Sequence, residues 1–289
     1  MTTSGQSRHV HRRGPAALAG LARACHPGPT AAVTLLTTAL AVASGRDAAG
    51  CALVAAAVLA GQLSIGWCND AVDAGRDAAA GRRDKPIVSG EVSVRTVRIA
   101  AIVALALCVP LSLASGVLAG TAHLVGVAAA WAYDLGVKAT ALSWIPYAVG
   151  FGSLPAFVAL GLPGHPWPAW WAVLAGALLG CGAHLANVLP DISDDLATGV
   201  RGWPQRLGPA RVRALIPLPL LLATGLLVLA PPGPPAAGAW AALGAACVFA
   251  GAGLVLGGRS PRVPFVAAIA VAAVDVVLLL AQGIGITAP

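Results

Sequence analysis

The sequence predicts an all-α polytopic membrane protein, a nine-transmembrane-helix bundle with a central cavity opening near the cytoplasmic face. Three observations carry this. Only 10% of the 289 residues are charged while 58% are hydrophobic, against roughly 25% charged residues in a soluble domain. The apolar residues gather into nine stretches parted by short polar loops. Two of those stretches end in matching clusters of Asn and Asp.

Taken in order, residues 1–14 are polar and basic, and the apolar run 15–22 is cut short by Arg23. That run is too brief for a signal-peptide core, so residues 1–27 are expected to form a basic cytoplasmic arm and interfacial segment. Residues 28–289 then make a single transmembrane domain. A crossing needs about 20 apolar residues, and candidate spans fall at 28–45, 48–68, 97–115, 117–133, 142–161, 168–188, 212–230, 236–256 and 263–282. Ala114-Ser115-Gly116 parts the third from the fourth. The fifth carries Ser143, Pro146, Gly150, Gly152 and Pro155, and a helix so interrupted at membrane depth borders protein or a cavity rather than lipid. Pro190 lacks a backbone donor and is expected to kink or end the sixth span.

Charge placement supports the division. With the N-terminus inside, 17 of the 18 Lys and Arg fall on the cytoplasmic side and Arg46 stands alone outside, as the positive-inside rule requires. The expected location is a bacterial plasma membrane, N-terminus cytoplasmic and C-terminus outside. The net charge of +7 does not point to nucleic acid, since no contiguous basic face with interleaved aromatics is present. Six scattered Cys (25, 51, 68, 108, 181, 247) form no C-x-x-C pair and read as small buried hydrophobes.

The second span runs into Asn69, Asp70, Asp73 and Asp77, and the sixth into Asn187, Asp191, Asp194 and Asp195. In each, N-x3-D-x3-D spacing places three oxygen-bearing side chains on one helix face. Six of the chain's eleven carboxylates lie in these clusters. Two carboxylates about 4 Å apart repel by roughly 4 kcal/mol at an effective dielectric near 20, so such clusters call for counter-charge. Solvated acidic loops that balance nearby Arg are the plain alternative, but duplication at equivalent places argues for metal. Oxygen ligands without His or Cys favour Mg2+, Mn2+ or Ca2+, and facing clusters suit a metal-bridged diphosphate. Arg82, Arg83 and Lys85 follow the first cluster, Lys138 follows Tyr133 and Asp134, and Arg201 and Arg206 follow the second, a supply of cations for phosphate oxygens that topology alone also explains. Trp67, Trp131, Tyr133, Trp144, Tyr147 and Trp203 fit an interfacial belt. His123, His184 and Gln62 read as interhelical hydrogen-bonding groups. Asp275, deep in the ninth span, is divided between structural pairing and an active-site role.

N-D-x-x-D-x-x-x-D after the second span, K-P-I-x-S-G after it, a Tyr/Lys loop after the fourth and D-x-x-D-D after the sixth resemble the UbiA superfamily of intramembrane prenyltransferases. The resemblance covers nearly the whole chain. It implies that Asn69, Asp70, Asp73, Asp77, Asp191, Asp194 and Asp195 hold two Mg2+ ions, replaceable by Mn2+, on an isoprenyl diphosphate. Arg82, Lys85, Lys138, Asn69 and Asn187 would bind its phosphates, with Asp73, Asp191 and Lys138 central to catalysis. The partners implied are a prenyl diphosphate donor, an aromatic, quinone-precursor or other lipophilic acceptor, and membrane lipid. Tyr133 and Lys138 are one residue farther apart than the Y-x-x-x-K common in aromatic prenyltransferases, Lys85 stands where Arg is frequent, and Gly202-Trp203 where Thr is often seen, which weakens the 4-hydroxybenzoate branch. Two other readings stand beside transfer: a terpene cyclase on the same scaffold, and a cation-coupled transporter, which clusters at the membrane edge rather than the midplane disfavour. Nothing in the sequence specifies an oligomeric state.

Overall fold

The computed structural model describes residues 13–257 and 262–288. The basic arm over 1–12 and Arg259 lie outside the described residues. Among those described the chain is helical, with one isolated bridge between Pro168 and Thr287 and no strand. Helix α1 is Arg13–Ala24 and α2 Pro27–Ala43. Then follow α3 (Ala48–Ala79), α4 (Val94–Leu113), α5 (Val117–Leu135), α6 (Ile145–Leu160) and α7 (Trp170–Val188). Three short helices, α8 (Ile192–Ala197), α9 (Trp203–Leu207) and α10 (Pro209–Leu215), lead to α11 (Pro217–Leu229), α12 (Ala237–Leu256) and α13 (Arg262–Gln282).

Local chemistry sets many of these ends. The Asp47 side chain accepts from the Gly50 backbone N–H to cap α3, and Ser93 accepts from Thr96 to cap α4, each satisfying a donor the helix cannot use. The third and fourth apolar stretches part where expected, α4 ending at Leu113 and α5 starting at Val117. Pro217 interrupts the seventh, dividing it into α10 and α11.

Among the described residues, six helical stretches are long and apolar enough to cross a membrane: Ala48–Ala79, Val94–Leu113, Trp170–Ala197, Pro209–Leu229, Ala237–Leu256 and Val263–Ile286. Pro27–Ala43 and Ile145–Leu160 are apolar but shorter, and His123, Tyr133 and Asp134 lower the hydropathy of α5. The protein is an integral membrane protein. It exposes many large apolar side chains, such as Val248, Val255 and Ile102, as a lipid-facing surface must. All six Cys are free; five are buried or half-buried, whereas Cys247 is exposed, contrary to the reading of all six as buried. It sits on the outward face of α12, where hydrocarbon replaces protein.

Helices adjacent in sequence pack side by side, and α13 packs on α2, α7 and α11 to close a ring. Helices α6 and α7 approach closely. A Cβ at Gly176 or Gly180 would run into the α6 backbone at Phe151 and Tyr147, so small residues one turn apart let the two backbones meet. That contact sets Tyr147 against the end of α7, where the second cluster begins.

Candidate functional site

The ring encloses a cavity of about 1030 Å³. Asn69, Asp70, Asp73, Asp77, Arg82, Lys85, Lys138, Asn187, Asp191, Asp194 and Asp195 all line it. Elsewhere its wall is mostly apolar, with Val33, Leu36, Phe151, Leu154, Ile269 and Leu279 among its members and Gln62 and His123 as polar exceptions. The structure therefore brings together, from three segments far apart in sequence, both acidic clusters with Arg82, Lys85 and Lys138, whereas Arg83, Arg201 and Arg206 are not among the residues that line the cavity.

Helix α3 explains how the first cluster reaches this place. Its 32 residues span about 48 Å at 1.5 Å per residue, well beyond a hydrocarbon core of about 30 Å, so its last turns can carry charge outside the lipid. Asp70 is only 2% exposed. It accepts from Lys85 Nζ at 2.7 Å and faces His26 Nε2 at 2.9 Å. Asp73 takes both donors of a different pair: Lys138 Nζ lies 2.6 and 2.8 Å from its two oxygens, and Arg76 pairs with it from one turn on. Lys138 is 9% exposed, a burial tolerable for a cation only with such a partner. Gly136, with φ 150, ends α5 and turns the chain into the 3-10 turn Val137–Ala139 that carries Lys138 back to α3. A side chain would strain that backbone.

The second cluster is built differently. Helix α7 stops at Val188, a 3-10 turn spans Leu189–Asp191 at Pro190, and α8 begins at Ile192. The sequence-expected break is present, so Asn187, Asp191 and Asp195 do not share one continuous helix face. Asn187 Nδ2 donates to the Tyr147 hydroxyl at 3.2 Å, and Gln205 Nε2 donates to Asp195 Oδ2 at 2.7 Å. Among the described residues no Lys or Arg lies within ion-pairing distance of Asp77, Asp191, Asp194 or Asp195. Arg82 instead pairs with Asp84 at 3.2 Å. That contact, reinforced through space by Asp191 and Asp77, holds its guanidinium above its ordinary range.

Several neighbours of these groups were not foreseen from sequence. His26, Arg76, Asp134, Tyr147 and Gln205 each touch a nominated residue. Asp134, 3% exposed, accepts from Asn69 Nδ2 at 2.9 Å. The N-terminal helix also grips this end: Trp67 Nε1 donates to the Leu21 carbonyl, and Arg23 donates to both Glu91 oxygens and to the Asp84 carbonyl. Arg76 and Asp134 had a signal in sequence, a charge at the end of an apolar run; His26 had none. His123 bonds Ser112 between α5 and α4, as its reading as an interhelical group expects, and His184 on α7 bonds Ser143 in the turn ahead of α6. Gln62 lines the cavity. Asp275, 0% exposed, accepts from Thr224 at 2.5 Å.

The donor set fits a hard divalent cation, because the cavity offers carboxylate and amide oxygens and its second cluster lacks counter-charge. Among the described residues no three Asp, Glu, His or Cys side chains converge so as to hold a metal unaided. Mg2+ uses one or two carboxylates and completes its shell with water and substrate phosphate.

A family model described as the UbiA prenyltransferase family matches residues 29–282. Among solved structures, the chain is similar to a UbiA homologue from Archaeoglobus fulgidus bound to GPP and Mg2+, with TM-score 0.68 and 16% identity over 91% of this chain and 99% of that one. An apo UbiA homologue from Aeropyrum pernix K1 aligns with TM-score 0.67 and 20% identity over 87% and 96%. A digeranylgeranylglyceryl phosphate synthase aligns with TM-score 0.66 and 16% identity over 92% and 98%. At these identities the likeness is one of fold. No curated protein matches the chain.

Proposed function

The chain belongs to the UbiA prenyltransferase family, and on that premise we propose that it is a Mg2+-dependent intramembrane prenyltransferase. It would move an isoprenyl group from a prenyl diphosphate to an aromatic, quinone-precursor or other lipophilic acceptor and release diphosphate. The observation that carries this reading is one cavity lined by acidic and cationic side chains from the ends of helices α3, α5 and α7 and mostly by apolar ones elsewhere. Such a cavity matches a substrate with a charged head and a hydrocarbon tail. A fold neighbour bound to DMAPP and Mg2+ supports the choice of donor.

Mg2+, two ions or Mn2+ in their place, would be held by Asn69, Asp70, Asp73 and Asp77 on one side and Asp191, Asp194 and Asp195 on the other, and supplies neutralisation of the diphosphate's growing negative charge. Lys138, Lys85 and Arg82, with Asn69 and Asn187, would bind and orient the phosphates, which fixes the scissile carbon toward the apolar wall. Asp73, Asp191 and Lys138 would be the residues on which turnover most depends. Tyr133 and Tyr147 line the cavity in an edge-to-face pair, 5.2 Å apart between centroids, and an aromatic face there would attract an allylic cation. The surrounding Leu, Val and Phe exclude water, so the cation survives until the acceptor attacks.

The same reading takes residues 28–289 as one domain with nine crossings, preceded by a basic arm and interfacial segment. The cavity opens toward the cytoplasm in a bacterial plasma membrane, with the C-terminus outside. Nine crossings follow if Pro27–Ala43, Ile145–Leu160 and Val117–Leu135 join the six long spans.

The test is incubation of purified protein with geranyl, farnesyl or geranylgeranyl diphosphate and Mg2+, with and without host lipids and quinone precursors, followed by mass spectrometry. Prenylated acceptor and diphosphate, both abolished by EDTA, are expected. A hydrocarbon or terpene alcohol formed without acceptor would replace transfer by cyclisation. Metal-dependent flux in liposomes with no diphosphate released would overturn both.

A further inference from the structure

We propose that Asp134 is a positioning residue that turns the Asn69 amide so that its carbonyl oxygen, and not its nitrogen, faces the metal and diphosphate end of the cavity. The inference rests on the reading of Asn69 as a ligand given above.

An amide ends in one acceptor and one double donor, and only the acceptor can bind a cation. Left to itself, the side chain of Asn69 could present either. The structure removes the choice. Asn69 Nδ2 donates to Asp134 Oδ1 at 2.9 Å across 65 residues of sequence, and a carboxylate offers only acceptors. With its nitrogen so committed, the atom Asn69 has left for the cavity it lines is Oδ1.

Asp134 is placed for that task. It is 3% exposed, and its second oxygen, Oδ2, is buried with no hydrogen-bond partner among the described residues. A carboxylate taken so far out of water is costly unless it is used, and among the described residues its one side-chain hydrogen bond is to the Asn69 amide. It stands on the last turn of α5, two residues before Gly136 redirects the chain toward Lys138, so the segment that supplies the Asp73 cation also supplies the Asn69 clamp. Partners of metal ligands typically contribute 10–100-fold to metal affinity by fixing ligand orientation.

The experiment measures Mn2+ binding by electron paramagnetic resonance in the presence of inorganic diphosphate, with no turnover involved. Asn69→Ala and Asp134→Leu are each expected to weaken Mn2+ binding by about 10–100-fold, and Asp134→Asn, whose own carbonyl can still accept from Asn69, by much less. The reciprocal exchange is the sharper arm. Asn69→Asp alone opposes two carboxylates and should bind Mn2+ poorly, whereas Asn69→Asp with Asp134→Asn restores a donor facing an acceptor and should recover most of the affinity. This arm decides the matter even where Asp134→Leu fails to fold. If Asn69→Ala weakens binding but Asp134→Leu does not, or if the exchange fails to restore affinity over Asn69→Asp alone, the positioning role is overturned. If Asn69→Ala leaves Mn2+ binding unchanged, the ligand assignment of Asn69 falls and the inference with it.

Discussion

The two acidic clusters have the same spacing in sequence and opposite states in the structure. On the unbroken helix α3, Asp70 and Asp73 are already matched by Lys85, His26, Lys138 and Arg76. Beyond Pro190 the chain breaks into a 3-10 turn and a six-residue helix. There Asp191 and Asp194 have no ion-pair partner among the described residues, and Asp195 has only the neutral Gln205. Asp70 and Asp73 thus contribute to holding the protein together, while the second cluster, with Asp77 at the end of the first, stores unbalanced charge. A motif repeated in sequence can be divided between stability and binding by what the neighbouring loops bring to it.

The largest effects should come from removing one carboxylate on each side. Asp73→Asn and Asp191→Asn are both expected to lower turnover by roughly 10²–10³-fold or more, the scale of a lost electrostatic contact in a water-poor site. They should part in stability. Asp73→Asn leaves the buried ammonium of Lys138 without its counter-charge, a loss of about 1.5–3 kcal/mol, whereas Asp191→Asn relieves repulsion and should not lower the melting temperature. Equal destabilisation by both would erase the contrast, and near wild-type turnover in either would refute the metal assignment.

A smaller effect separates where metal enters. Mg2+ with inorganic diphosphate at about 100 times its dissociation constant should stabilise the protein by about 2.7 kcal/mol, read as a rise in melting temperature. Asp191→Asn should lose most of that rise. A rise that survives in Asp191→Asn but vanishes in Asp73→Asn would mean that the paired cluster, not the open one, receives the ion.

The smallest concerns the break itself. Pro190→Ala restores a backbone donor and permits α7 to run on, which would rotate Asp191 and Asp194 away from their present aim. Turnover should fall by about tenfold, since a displacement near 1 Å can cost more than that, with little change in stability. Unaltered turnover would show that the open cluster does not depend on its irregular backbone.

Much of this was legible beforehand, and the remainder was not for identifiable reasons. Apolar runs of about 20 residues announce crossings because the bilayer imposes that length, and Pro190 announced a break because proline cannot donate. Clustered Asp pointed to one charged cavity because like charges are not gathered without purpose. Which cation meets which carboxylate stayed hidden: His26 lies 44 residues from Asp70 and Lys138 lies 65 from Asp73, so only the packing of α2, α3 and α5 pairs them. Asp275 is similar. Its cost in the membrane was evident, yet its partner Thr224, 51 residues away on α11, depends on how two helices meet.

The segment ahead of α2 carries a practical lesson. Arg23 and His26 precede the first family-matched residue, 29, yet they buttress the strap that bears Lys85 and the acid it neutralises. A version trimmed to the shared boundary would keep every nominated side chain and lose the scaffolding that steadies one of them, leaving an intact barrel of helices with a slack rim.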